Sequence, residues 1–169
     1  MTDQAKHMLD SLFGTRRPTA WVTRERPKID RIACPWLIRR FVDPDARILF
    51  VPTGQVFAVA EAEGALAFDI PGAAFSHVGD DCSFDAFLAA FGLKEEAGLA
   101  RLAPIVRGAD TDRHDLAPEA AGLHAISLGM ARLIEDDTEL LERGMLVYDA
   151  LYRWATEAGA ERHAWRPAA

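Results

Sequence analysis

The sequence lacks the marks of secreted, membrane-spanning and nucleotide-dependent proteins. Its two cysteines have no CxxC spacing and are too few for a disulfide framework. No apolar run approaches the ~20 residues that a transmembrane helix needs, and the first residues contain no signal-peptide core. GxSxG, P-loop and GxGxxG motifs are absent, which argues against the enzyme classes that use them. These absences predict a cytoplasmic protein with no membrane partner.

Charge is distributed unevenly along the 169 residues. The net charge of −7 argues against direct nucleic-acid binding, which usually needs a basic surface. Residues 1–50 nevertheless carry ten Lys and Arg against six Asp and Glu, and eight of those ten are arginines. The planar guanidinium suits two-point capture of phosphate, sulfate or carboxylate. Surface ion pairs with the acidic second half are the alternative role for these arginines.

Apolar and β-branched runs predict a small sheet in the first half of the chain. Strands are expected over 19–24, 46–51 and 65–70, and residues 75–78 are a fourth short strand or an extended loop. Apolar positions at helical spacing predict helices over 56–63, from the N-cap Ser83 onward, and over 94–106, 118–134 and 137–157.

A further helix to Phe41 is expected between the first two strands. Either Asp30 is its N-cap, or the helix begins at Pro35 after Cys34, because an interior proline is unfavourable. The expected fold class is α/β or α+β: a sheet of three or four strands with crossover helices, followed by a helical C-terminal half. One domain is predicted over 19–157, between a polar lead-in over 1–18 and a loose tail over 158–169.

Six motifs in order carry a family resemblance. They are WVTR at 21–24, IDRIACPWLIRRF at 29–41, FSHVGDDCSF at 75–84, IVRGADT at 105–111, LAPEAAGLHAIS at 116–127 and YDALYRW at 148–154. Together they resemble the C-terminal domain of the bacterial chromate resistance protein ChrB family, over roughly residues 20–155. Pro35 departs from the small helix-forming residue of the family pattern. The resemblance implies chromate response or resistance in bacteria.

Full-length members of that family have an N-terminal regulatory domain expected to bind DNA. Only about 20 residues precede the match here, so direct operator binding is not expected. An interaction module for a separate DNA-binding chain is one alternative function. The apolar positions of the last helix are expected to be core, and self-association into a homodimer is the alternative role for Tyr152 and Trp154.

Arg24, Arg31 and His77 form the predicted oxyanion site. Chromate is a tetrahedral dianion close to sulfate in shape. Arg24 ends the first strand and Arg31 lies in the first turn of the next helix, where the helix dipole also favours an anion. His77 lies in a loop and adds an imidazolium. The alternative is that the arginines pair with Asp30 or Glu25 and organise the turn.

His77, Asp110 and His124 form the predicted metal site. Imidazole and carboxylate ligands suit Fe, Mn or Zn, although neither HxH nor HExxH spacing is present. This site predicts a metal-dependent enzyme acting on chromate or on oxidative by-products as an alternative function. A thiol-dependent form of that enzyme uses Cys34 or Cys82 instead, provided that a nearby helix start lowers the pKa of the thiol. Burial of both cysteines in the core is the competing expectation.

Overall fold

The computed structural model describes residues 2–158 and places the sheet in the first half of the chain. The strands are β1 (Ala20–Arg24), β2 (Arg47–Val51) and β3 (Leu66–Ala67). The α-helices are α1 (Asp3–Phe13), α2 (Asp30–Leu37), α3 (Val56–Glu63), α4 (Ser83–Ala90), α5 (Ala97–Asp110), α6 (Ala120–Leu133) and α7 (Asp137–Arg153). The predicted small sheet with crossover helices and a helical C-terminal half is confirmed.

All three strands are parallel, in the order β2-β1-β3. Ala20 pairs with Arg47 at the start of β1, and Arg24 pairs with Val51 at its end. Residues 75–78 form an extended loop, one of the two predicted alternatives, with isolated bridges from Phe75 and Val78. The described sheet therefore has three strands, and the carboxyl ends of all three lie along one edge.

Helices cover both faces of the sheet. Successive side chains of a strand point to opposite faces. Trp21 belongs to the main core together with Ile32 of α2, whereas Val22 belongs to a second core together with Val56 of α3. Because both faces are covered, the first four residues of β1 are all buried, including the polar Thr23.

A cluster of aromatic rings fixes the 75–82 loop against the sheet. Phe75 stacks on Phe87 of α4 with ring centroids 4.4 Å apart, and Trp21 lies 5.3 Å from the same ring. Phe87 is fully buried. Because such contacts hold Phe75 in one position, the residues that follow it in the loop have a rigid anchor.

Two helix starts differ in detail from the expectations. Helix α2 runs through Pro35, as the first of the two alternatives requires, but its N-cap is Ile29 and Asp30 is its first residue. The helix continues as a π-helix over Ile38–Val42. Pro35 has no N–H to donate into that helix. The N-cap of α4 is Cys82 rather than the predicted Ser83, and the Asp85 carboxylate accepts a 3.1 Å hydrogen bond from the Cys82 N–H.

Residues near the N-terminal end of the described chain join the main core. Helix α1 lies in the predicted polar lead-in, yet its Ala5, Leu9 and Phe13 side chains are buried in that core. Thr2 caps this helix by accepting a hydrogen bond from the Ala5 N–H.

From residue 159 on, the predicted loose tail lies outside the described residues. None of the helices in the described part of the chain is long and apolar enough to cross a bilayer.

Candidate functional site

Six charged or titratable side chains converge at the carboxyl edge of the sheet, and Arg31 of α2 is one of them. Arg24 ends β1, and Asp69 lies two residues after β3. Asp30 is the first residue of α2, and Asp110 is the last residue of α5. His77 reaches the same place from the loop that Phe75 anchors.

Asp69 is the hub of the site. Its backbone has a φ of 51°, a left-handed conformation that aspartate tolerates better than most residues. Its Oδ2 accepts a 2.9 Å hydrogen bond from Arg24 and lies 3.3 Å from Arg31 Nε. Its Oδ1 accepts a 2.8 Å bond from the Ser83 hydroxyl. Its side chain is only 7% exposed, so these contacts replace nearly all of its hydration.

Asp30 is buried with one oxygen unsatisfied. Its Oδ2 accepts a 2.5 Å hydrogen bond from the Ser83 N–H, but its buried Oδ1 has no hydrogen-bond partner among residues 2–158. Burial raises the pKa of Asp30. Buried polar atoms normally have a partner, so an orphaned carboxylate oxygen here points to a ligand that the protein itself does not supply.

His77 faces three carboxylates with one nitrogen. Its Nε2 lies 3.0 Å from Asp110 Oδ2, 3.4 Å from Asp30 Oδ2 and 3.5 Å from Asp69 Oδ1. The hydrogen bond with Asp30 raises the pKa of His77 to about 9, against an opposing effect of burial. Burial, with the charges of Asp30 and Asp69, raises the pKa of Asp110 to about 7. The metal-free site therefore holds a proton on His77 at neutral pH.

Arg24 and Arg31 are both committed to contacts within the chain. Neither pairs with the side chain of Asp30 or Glu25, and both instead face Asp69. The Arg31 Nη1 also donates to the carbonyls of Arg24 and Glu25, which ties the turn after β1 together. Burial and the neighbouring Arg24 charge lower the pKa of Arg31. The structure thus places the three residues of the predicted oxyanion site together, but around a carboxylate.

The residues of the predicted metal site are separated. His77 and Asp110 are in contact, whereas the Nδ1 of His124 lies 3.0 Å from the carbonyl oxygen of Ala109. A ligand atom of His124 groups instead with Asp112 and His114. Fifteen positions separate His124 from Ala109 in the sequence, so its neighbours depend on how α6 packs on α5.

Both cysteines are buried in the interior. Cys34 and Cys82 are free thiols with no exposed surface. Burial raises the pKa of each thiol, so neither has the depressed pKa that a reactive thiolate requires. The geometry does not favour the thiol-dependent alternative.

Asp69 is the site residue that the sequence reasoning did not identify, and Ser83 was expected only as a cap. The available signal was positional, because Asp69 follows the third predicted strand and parallel strands end at a common edge. For Asp30, the sequence predicts only a helix cap or a partner of the arginines. The structure makes Ser83 a link between Asp30 and Asp69, since its N–H contacts one and its hydroxyl the other.

The donor set suits a divalent cation. One ligand atom each from Asp30, Asp69 and His77 lies within 4.8 Å of the others, and Asp110 adds a carboxylate beside His77. Three carboxylates and one imidazole are ligands that Mn, Fe and Zn accept. Ligands bonded to one ion at about 2.1 Å lie about 3.0–3.4 Å apart in octahedral or tetrahedral geometry. The distances from His77 Nε2 fall close to that range.

Comparison with known proteins gives consistent results across most of the chain. A family model described as "ChrB, C-terminal domain" matches residues 21–155, a range that includes every residue of the site. Protein ChrB of Cupriavidus metallidurans is 41% identical over 132 residues, which is 78% of this chain and 39% of that protein. The chain thus spans about two fifths of this relative's length. No solved structure matches the chain.

Proposed function

Because the chain belongs to the ChrB C-terminal domain family, we propose that it serves chromate resistance as a metal-dependent oxyanion-binding domain. One divalent ion, Fe, Mn or Zn, is held by Asp30, Asp69, His77 and Asp110. A tetrahedral oxyanion such as chromate then binds at the loaded site. In this role the domain either senses chromate or helps to lower its intracellular concentration.

The orphaned Oδ1 of Asp30 is the observation that carries the metal. It is a buried oxygen without a partner in the described part of the chain, and the other oxygen of the same carboxylate lies 3.4 Å from His77 Nε2. A cation at this position satisfies that oxygen and takes the place of the proton on His77. Ser83 supports the arrangement because it fixes one oxygen of Asp30 and one of Asp69. Such outer hydrogen bonds orient metal ligands.

Charge explains why oxyanion binding depends on the metal. When His77 is protonated and the three carboxylates are ionised, the imidazolium and the two guanidinium groups of Arg24 and Arg31 balance the carboxylates, and the metal-free site carries no net charge. Such a site has no excess positive charge to attract a dianion. A divalent ion that takes the place of the His77 proton would change the net charge to +1 and would supply a Lewis acid for an oxygen of the anion. The two arginines supply the surrounding positive field.

The enzyme alternative uses the same residues and differs in turnover. A metal that binds chromate without consuming it serves sensing, whereas loss of chromate over many cycles identifies a catalyst. The thiol version is weaker, because Cys34 and Cys82 are buried.

No observation singles out the interaction-module alternative. Of the large exposed apolar side chains in the described chain, Ile126 and Leu133 share one face of α6, whereas Phe57, Val78 and Leu146 lie on three other segments. Tyr152 donates a 3.0 Å hydrogen bond to Glu96, and Trp154 lies under the Arg101 guanidinium at 4.9 Å. The two residues considered for a homodimer face therefore already have partners within the chain.

Metal and anion titrations on the full chain test the proposal. The protein is stripped with a chelator, loaded with Zn²⁺ or Mn²⁺, and titrated with chromate and with sulfate while its thermal midpoint is followed. Chromate at 100 times its Kd stabilises the loaded protein by about 2.7 kcal/mol, or roughly 5–11 °C, and leaves the metal-free protein unchanged.

Three variants accompany this titration. His77→Ala and Asp30→Asn each lose one equivalent of metal and the chromate response. The exposed His7 of α1 provides a matched control, so His7→Ala keeps both. Equal chromate binding by stripped and loaded protein overturns the metal dependence, and an unchanged metal stoichiometry in His77→Ala overturns the site.

A further inference from the structure

A second group of metal-binding side chains lies just beyond the end of α5. Asp112 follows α5 by two residues, His114 opens the short 3₁₀ turn His114–Leu116, and His124 lies in the second turn of α6. One ligand atom from each residue lies within 4.8 Å of the other two. Neither the metal ion nor the oxyanion of the proposed function uses these residues.

The backbone holds His124 in an orientation suited to metal binding. Its Nδ1 lies 3.0 Å from the carbonyl oxygen of Ala109. A carbonyl oxygen only accepts, so this contact places the ring hydrogen on Nδ1 and leaves the Nε2 lone pair available. Metal-binding histidines commonly donate their other ring N–H to a carbonyl or carboxylate in this way.

His114 contributes an unsatisfied nitrogen at the same place. Its ring lies edge-on to that of His124, with centroids 5.0 Å apart and planes at 61°. The Nε2 of His114 is buried and has no hydrogen-bond partner in the described part of the chain. A buried nitrogen without a partner requires an explanation, and a bound ion supplies one.

Asp112 adds a carboxylate, and its position leaves the site accessible. Its backbone φ of 56° is left-handed, and its side chain is exposed. Ions in solution therefore have a route to the group.

We propose that Asp112, His114 and His124 form a second metal site that binds a divalent transition-metal ion through two imidazoles and one carboxylate. Three protein ligands leave at least one coordination position open, as in catalytic zinc sites and in non-haem iron sites with the same ligand set. Two imidazoles make this site softer than the aspartate-rich site at His77. It therefore prefers Zn²⁺ to Mn²⁺, and the other site accepts both.

Zinc titration of the stripped full chain tests the second site directly. Wild-type protein binds two equivalents of Zn²⁺. Asp112→Asn and His114→Ala each bind one equivalent tightly, with the second weakened by more than about 100-fold, since losing a ligand costs at least as much as losing its outer partner. Asp112 is exposed, so its substitution leaves the fold intact.

Cobalt provides a second readout with a matched control. Co²⁺ bound by nitrogen and oxygen ligands has a visible spectrum, and His114→Ala removes one component of it while His77→Ala removes the other. Wild-type zinc affinity and an unchanged cobalt spectrum in both Asp112→Asn and His114→Ala overturn the second site. Retention of both equivalents in His77→Ala instead contradicts the proposed function alone.

Discussion

Replacement of Asp69 by asparagine tests whether this carboxylate holds the turn after β1 together. Asparagine has nearly the same shape and tolerates the left-handed backbone at φ 51°, so the substitution removes charge with little added strain. In the metal-free protein, Arg24 and Arg31 then face each other without the anion between them.

The contacts set the size of the effect. Hydrogen bonds to charged groups contribute about 1.5–3 kcal/mol each, and Asp69 receives one from Arg24 and lies 3.3 Å from Arg31 Nε. Arg24 is about one-third exposed, so solvent screens its contribution, whereas Arg31 is only 15% exposed. The remaining amide oxygen still accepts one hydrogen bond. We therefore expect Asp69→Asn to lower the free energy of unfolding by about 2–4 kcal/mol.

Urea unfolding with a chelator present measures this loss. A change of about 3 kcal/mol also lowers the thermal midpoint by roughly 6–12 °C. Asp80→Asn is the control, because Asp80 is exposed on the neighbouring loop, and its unfolding free energy stays within about 0.5 kcal/mol of wild type. A loss below about 1 kcal/mol for Asp69→Asn, with an unchanged denaturant slope, refutes the reasoning, because the turn then holds the two arginines without this charge.

Three further predictions concern the core and the thiols. Gly144→Ala places a Cβ 2.7 Å from Ile32 Cγ2, so we expect the free energy of unfolding to fall by about 1–2 kcal/mol even though alanine favours a helix more than glycine does. Urea unfolding measures this change, and a stabilised variant contradicts the close packing of α7 on α2. Phe87→Ala removes the central ring of the aromatic cluster and costs about 3–5 kcal/mol in the same assay, and a cost below about 1 kcal/mol contradicts its packing role. Cys34 and Cys82 stay unreactive toward a thiol reagent in the native protein and react after denaturation, whereas rapid native labelling contradicts their burial.

Local sequence patterns predicted the elements of the fold well. Helix α3 begins at Val56 and ends at Glu63 as predicted, because Gly64 takes the left-handed conformation that ends a helix. The first two strands were also predicted, since β-branched and aromatic runs stand between clear turns, whereas β3 covers only Leu66–Ala67 of the predicted 65–70. Differences arose where a proline or a cap left two starts open, in the predicted lead-in that forms α1, and at the end of α5, which reaches Asp110 instead of 106. These outcomes depend on tertiary contacts.

The candidate site was harder to predict because its members come from five separate segments. His77 and Asp110 stood out through the motifs that contain them. Asp69 carries no motif of its own, and its position follows from a bridge between Phe68 and Phe75 and from its left-handed φ. His124 has the correct chemistry for the predicted metal site, but the packing of α6 on α5 directs it to another group.

The strand order β2-β1-β3 has a consequence for how this protein can change. The chain leaves β1 toward one neighbour and later returns on its other side, so the connections diverge between β1 and β3. Such a topological switch point opens a crevice at the carboxyl ends of a parallel sheet. Arg24, the last paired residue of β1, and Asp69, which follows β3, lie at that crevice. Substitutions in the loops at this edge can therefore change which ion binds while the fold is kept. In this architecture, the choice of ligand evolves more readily than the fold does.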